Sequence, residues 1–172
     1  MVLHFQLSLP QALELIDVDK NIQFPIQIQL EKRTIHNSNI LLSKYGEIKW
    51  KIVDSLNQKY SALLPSPFDL YNWLNKNTKD EVAYFLNEAG SNALSYAQHQ
   101  IPSQFHLYLG KKGFIIAIEQ QGQSFNPIEI DEKNIKENEG AGFTFFRNSK
   151  STIFFDNPLQ ASIIYFLYLL PR

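Results

Sequence analysis

Glu88 and Asn92 stand four residues apart in the stretch Asn87-Glu88-Ala89-Gly90-Ser91-Asn92-Ala93. On a helix, side chains at i and i+4 stack on one face, so this spacing brings a carboxylate beside a carboxamide. The carboxylate can orient an attacking water or hydroxyl, and the carboxamide oxygen can ligate a magnesium ion. A lone Glu-x-x-x-Asn is equally what a solvated helix face looks like. The elements around the pair must therefore decide between chemistry and solvation.

The spacing predicts a helix over Lys79 to Gln98. Thr78-Lys79-Asp80-Glu81 has the Ser/Thr-x-x-Glu form of a capping box, which satisfies the free amides of a helix start. Val82, Phe85, Leu86, Ala89, Ala93, Tyr96 and Ala97 recur at helical spacing and form one apolar face. Glu88 and Asn92, with Glu81, Tyr84, Ser95 and His99, fall on a different stripe, expected to face a cleft. Gln104 to Gly110 alternates apolar and polar residues, Gly110-Lys111-Lys112-Gly113 supplies a turn, and Phe114 to Glu119 reads as the second strand of a hairpin. That strand runs into Gln120-Gln121-Gly122-Gln123-Ser124. An acidic, Asn-rich stretch, Ile128 to Glu139, reads as a flexible connector that closes the cleft. Gly140-Ala141-Gly142-Phe143 follows, and then two strands, Ser151 to Phe155 and Ala161 to Leu170, divided by the turn signal Asp156-Asn157-Pro158.

In this order and spacing, the chain resembles the ATP-binding fold of the GHKL group, which holds gyrase, Hsp90, histidine kinases and mismatch-repair proteins of the MutL type. It looks most like the small serine kinases that act as anti-sigma factors, whose signature helix reads much like Asn87 to Ala93. The resemblance covers roughly Thr78 to Pro171, the length of a small domain. It implies Glu88 as catalytic base and Asn92 as ligand of the magnesium ion that bridges the phosphates of ATP. The family's Asp-x-Gly-x-Gly box, whose Asp accepts from the adenine amino group, falls on Gln120, Gly122 and Ser124. Gln120 keeps an acceptor oxygen without the charge, and charge-assisted hydrogen bonds are roughly twice as strong as neutral ones. Ser124 replaces a glycine that allows close backbone approach. Gly140 and Gly142 match the later glycines, where loop amides and a helix start hold phosphate. The family's last box carries Gly-Thr, and here Gln160-Ala161-Ser162 offers Ser162 as the stand-in.

Composition fits an ordinary folded domain. The 172 residues suit one compact unit with a proper core. With 16 basic against 17 acidic residues, nothing in the charge calls for nucleic acid or an anionic membrane. Zero cysteines exclude disulfides, thiol catalysis and zinc–thiolate sites, and fit a cytoplasmic protein. Met1 to Gln6 lacks the basic-then-apolar pattern of a signal peptide. The longest apolar run, Ala161 to Leu170, falls short of the roughly 20 residues of a membrane helix.

Residues 1–65 read as a β-rich extension of the sheet ahead of the ATPase-like domain at 66–172. His4 to Leu9 and Phe24 to Leu30 alternate like strands, and Asn39 to Leu42 and Glu47 to Val53 flank Ser43-Lys44-Tyr45-Gly46 like a hairpin. Asp54 to Leu63 reads as helical or irregular, and Ser66-Pro67-Phe68-Asp69 signals a helix to about Asn75. The first 65 residues either carry partner specificity or self-association as a homodimer, or merely extend the sheet and cover its edge.

Other chemistries find less support. His4, His36, His99 and His106 lack the close spacing of a zinc site. Thr34-Ile35-His36-Asn37 reads as a loop after a strand, unlike the helical hairpin that carries a phosphoacceptor histidine. No Gly-x-Ser-x-Gly and no Walker Gly-Lys-Ser/Thr occurs. The sequence therefore predicts an α/β (α+β) sandwich of Bergerat type, a mixed, mostly antiparallel sheet with helices on one face. It predicts a regulator that binds ATP and Mg2+ and acts on a protein partner, as a kinase or weak ATPase. Two alternatives stand beside it: a pseudo-ATPase that keeps the fold as a protein-interaction module, and the catalytic half of a histidine kinase acting in trans.

Overall fold

Gln104–Gly110 (β2) and Gly113–Glu119 (β3) pair in register as the expected hairpin, Leu109 opposite Phe114 and Gln104 opposite Glu119. Every β3 residue from Gly113 to Ile118 is buried, which is why this strand reads as a continuous apolar run: it lies in the middle of the sheet, covered on both faces. The computed structural model describes residues 3–26, 38–72, 80–96, 104–120, 123–138 and 140–171. Its remaining elements are Leu9–Ile16 (α1), Val18–Pro25 (β1), Ser38–Tyr60 (α2), Glu81–Tyr96 (α3), Pro127–Glu137 (α4), Ala141–Asn148 (α5), Thr152–Phe155 (β4) and Ile163–Leu169 (β5). The five strands form one antiparallel sheet in the order β1-β2-β3-β5-β4. A parallel bridge from Leu3 to Ile153 adds to its β4 edge.

One face of the sheet carries the larger core. Phe105, Leu107, Phe114, Ile116, Ile118, Phe155 and Phe166 meet Tyr45, Ile48, Ile52 and Leu56 of α2, Val82, Phe85 and Leu86 of α3 and Phe146 of α5. Phe85 stacks on Phe166 with ring centroids 5.0 Å apart, pinning α3 across the centre of the sheet. The expectation of helices on one face is corrected at α1, whose Ala12 and Ile16 cover Ile115, Ala117, Phe154 and Leu167 on the opposite face. The architecture is an α+β sandwich with an antiparallel sheet.

The N-terminal third departs from the expected β-rich extension. The two strands read at Asn39 to Leu42 and Glu47 to Val53 are both part of α2. Leu41, Tyr45, Ile48, Ile52, Leu56 and Tyr60 are buried at helical spacing, so period 3.6 outweighs the turn signal of Gly46. His4 to Leu9 is not a strand. Instead Ser8 starts α1, its N–H donating to Gln11 Oε1 at 3.0 Å in a capping box. Of the strand read at Phe24 to Leu30, the described part ends β1 at Pro25. The helix expected from Ser66 is replaced by turns up to Asn72, and its end lies outside the described residues, as do Thr34 to Asn37 and His99. The connector at Ile128 to Glu139 is largely α4. Asn126 caps it by accepting from Glu129 N at 3.1 Å, Pro127 opens it, and Asn138 ends it at φ +53°. Among the described residues no helix is long and apolar enough to cross a membrane.

Candidate functional site

Helix α3 is anchored at its start so that its polar stripe has one orientation. Asp80 caps the helix start, its Oδ1 accepting from the N–H groups of Val82 and Ala83 at 3.1 Å each. Thr78 lies outside the described residues. Glu81 reaches across to the segment before β4, accepting from Lys150 N at 2.5 Å and from Ser151 N and Oγ at 3.1 and 2.6 Å. It is a structural clamp that lines a different cavity from the one Glu88 and Asn92 face. Gly90 gives room for the Tyr45 ring, whose hydroxyl donates to the Leu86 carbonyl, and burial pushes that phenol well above its usual range. Asn87 turns toward α2, accepting from Lys49 Nζ at 2.7 Å. Burial holds the Lys49 ammonium below the usual lysine range.

With Asn87 turned away, Glu88 and Asn92 face a cavity of 350 Å³. Asn92 Nδ2 donates to Glu88 Oε1 at 3.4 Å, which leaves the carboxamide oxygen of Asn92 for another partner. The burial of the Tyr84 phenol, and after it the Glu88 carboxylate, raise the Tyr84 pKa. Gln120, Gly140, Gly142 and Ser162 line the same cavity. Six residues from four stretches of the sequence thus meet at one place.

Local structure explains how each arrives there. Gln120 directly follows β3, and its N–H donates to the Ser162 carbonyl at 2.9 Å, joining the end of β3 to the start of β5. Phe125 and Ala161 exchange backbone hydrogen bonds of 3.0 and 2.7 Å, which returns the loop after β3 to the rim. Gln120 is 8% exposed, and its side-chain Nε2 donates to the Gln123 carbonyl at 2.6 Å. Gly140 has φ +79°, a left-handed conformation that favours glycine, with the Asn134 side chain against it. Gly142 has an ordinary backbone, but a Cβ there would stand 2.5 Å from Glu88 Oε1. The first of these glycines is needed for its turn and the second for close approach.

Two of the expected residues are not part of this arrangement. Ser124 is half-buried near the rim without lining the cavity, and Gly122 lies outside the described residues. The sequence reading missed Ile130, Lys133 and Asn134, which line the cavity from α4. Their i, i+3, i+4 spacing was the available signal, obscured by the acidic and Asn-rich composition around it. Lys133 has Glu137 Oε2 at 3.8 Å, and Arg147 of α5 pairs with Asp131 to tie α4 to α5. Phe125 and Phe143 both pack on Phe155 and form apolar wall.

The donor set suits magnesium shared with a phosphate better than a metal held by protein alone. Magnesium keeps waters and takes one or two protein oxygens beside substrate phosphates. Among the described residues no group of three or more His, Cys, Asp or Glu side chains is placed to hold a metal ion. No protein-family model, curated protein or solved structure matches this chain.

Proposed function

We propose that this chain is a nucleotide-binding regulator with a GHKL, Bergerat-type fold, resembling the anti-sigma-type serine kinases. It binds Mg-ATP in the cavity between α3, α4, α5 and the ends of β3 and β5, and acts on a protein partner by phosphorylation or by nucleotide-dependent affinity. One observation carries this reading: Glu88, Asn92, Gln120, Gly140, Gly142 and Ser162, selected by resemblance from separate stretches, line one cavity. A volume of 350 Å³ with apolar walls and a few convergent polar groups is what a small-molecule site presents.

In this reading Glu88 withdraws or orients the proton of the attacking hydroxyl or water, being on the cavity wall and tied to Asn92. The Asn92 oxygen would hold a magnesium ion, which would supply charge neutralisation for the phosphates. The α5 start at Gly140 to Gly142 offers backbone amides to anionic oxygens, and Lys133 adds a positive charge from α4.

A second reading, a pseudo-ATPase that serves as a protein-interaction module, is favoured by the neutral Gln120 and by the side chains of Glu88 and Asn134 pressed against the two glycines. Calorimetry and thermal melting of the full chain with ATP, ADP and magnesium distinguish the two. At 100 times its dissociation constant a nucleotide adds about 2.7 kcal/mol of stability and a clear rise in melting temperature. No heat and no shift at millimolar ATP and ADP would leave the interaction module as the reading.

A further inference from the structure

The cavity wall continues behind the residues that line it. Phe125 and Phe143 form its apolar side, and both rest on Phe155 of β4, with ring centroids 6.0 Å apart edge-on and 6.4 Å apart stacked. A third ring meets Phe155 from outside every helix and strand: Phe5, stacked at 5.9 Å with 12° between the ring planes. The residues on either side explain how Phe5 arrives there. Leu3 forms a parallel bridge to Ile153, and the His4 N–H donates to the Ile153 carbonyl at 2.8 Å, which lays the chain along the β4 edge. Leu3 and Phe5 pack on the face of the sheet that carries the cavity, whereas Leu7 packs with Leu9 and Leu13 of α1 on the opposite face. Residues 3–7 are therefore a strap that turns around the β4 edge from its anchor at α1.

We propose that Phe5 is a positioning residue for the cavity: through Phe155 it holds the wall of Phe125 and Phe143, so that nucleotide binding and seating of the strap favour each other. The inference rests on the nucleotide reading above and adds a regulatory input to the same site. Chain ends open locally at far lower cost than the whole fold, so the strap has a seated and a lifted state. Lifting it removes a stacked ring from Phe155, which is 4% exposed when the strap is seated. Close-packed rings do not tolerate such a gap, and Phe155 with the two rings resting on it repacks toward the vacated space. The wall then withdraws from a ligand in the cavity. Such coupling is reciprocal: the factor by which the seated strap raises affinity is the factor by which bound nucleotide favours the seated strap.

The test is amide hydrogen exchange, followed by NMR on the full chain with and without saturating Mg-ADP, beside calorimetric titration with the same nucleotide. His4 is the reporter, because its N–H is bonded to Ile153 only while the strap is seated. Mg-ADP should slow exchange at His4 by about fivefold or more. Lys112, whose N–H donates to the Ile16 carbonyl at the opposite end of β3 from Gln120, should change little. Phe5→Ala should weaken Mg-ADP by about the same factor with its circular dichroism unchanged, and Phe5→Tyr, which keeps the ring, should restore the affinity. Wild-type protein that binds Mg-ADP with His4 exchange unchanged, or slowed no more than Lys112, overturns this inference and leaves the nucleotide reading standing. That arm needs no variant and so does not depend on one folding. A folded Phe5→Ala protein with wild-type affinity overturns the assignment to Phe5. Failure of Mg-ADP to bind overturns the nucleotide reading itself, and this inference with it.

Discussion

Glu88 and Gly142 are in contact through space: Glu88 Oε1 stands 2.5 Å from where a Cβ on residue 142 would be, with its Cγ and Cδ at 3.0 and 3.1 Å. The acidic residue of α3 and the second residue of α5 therefore define each other's position, and they do so on the wall of the cavity.

A double-mutant cycle should detect this contact. Gly142→Ala alone forces the Glu88 carboxylate aside and is expected to cost about 1 kcal/mol or more. In a Glu88→Ala background the same change meets open space, and the helix preference for Ala over Gly, up to about 1 kcal/mol, should make it neutral or stabilising. Urea denaturation of the four proteins gives the coupling. Additive effects would show that the two residues do not touch in solution.

Asn92→Ala separates a magnesium ligand from a mere hydrogen-bond donor. Asn92 is half-buried, and its only described hydrogen bond is the long one to Glu88, so the melting temperature should change little. Nucleotide affinity measured with magnesium should fall on the order of tenfold, the scale of losing one interaction with a charged partner. Affinity measured in EDTA should stay the same. Equal losses with and without magnesium would remove Asn92 from the metal site.

How much of this was legible in the sequence differs by element. The β2–β3 hairpin, the last two strands and α3 were readable because one period dominates each of them. The pairing of Glu88 with Asn92 was readable for the same reason. Helix α2 was not, because Gly46 and the apolar pairs around it imitate a hairpin, and only burial against the sheet shows which spacing matters. Helix α4 was missed because its polar residues outnumber its apolar ones, and its cap at Asn126 with Pro127 is the stronger signal. The convergence of Gln120 and Ser162 needed the β3–β5 pairing, a contact across more than forty residues that no local pattern encodes.

Tyr60 gives a pH signature to the α2–sheet junction. Its hydroxyl accepts from Gly110 N at 3.1 Å, and its single proton serves the carbonyls of Gly110 and Gly113, each 2.8 Å away at the β2–β3 turn. Burial pushes this phenol up to about 12, against 10.0 for a free tyrosine, with the Gly110 hydrogen bond opposing and Asp19 adding to the rise. Between those values the unfolded chain has released the proton and the folded chain holds it. Stability therefore declines as pH rises from 10 to about 12, and is complete below 10. Tyr60→Phe should lose about 1–3 kcal/mol at neutral pH from the unpaired backbone groups. It should also show a shallower alkaline decline than the wild type. Parallel alkaline profiles of the two proteins would mean that Tyr60 does not titrate in this way.

Glu88→Gln puts the catalytic assignment at risk most directly. The glutamine has the shape of the glutamate, its oxygen can still accept from Asn92 Nδ2, and Gly142 still leaves it room, so the fold should be unaffected. What changes is one negative charge on the wall of a cavity proposed to hold triphosphate. Removing like-charge repulsion in a partly buried setting should tighten ATP by an amount on the order of 1 kcal/mol. Any hydrolysis or transfer to a partner should disappear, because a neutral amide cannot take the proton of the attacking hydroxyl. Lys133→Ala is the opposite control. It removes a positive charge from α4 and should weaken ATP while leaving adenosine unaffected. If Glu88→Gln instead weakens ATP, or leaves turnover intact, the carboxylate does not face the phosphates, and Glu88 is a structural partner of Asn92 and Gly142 alone.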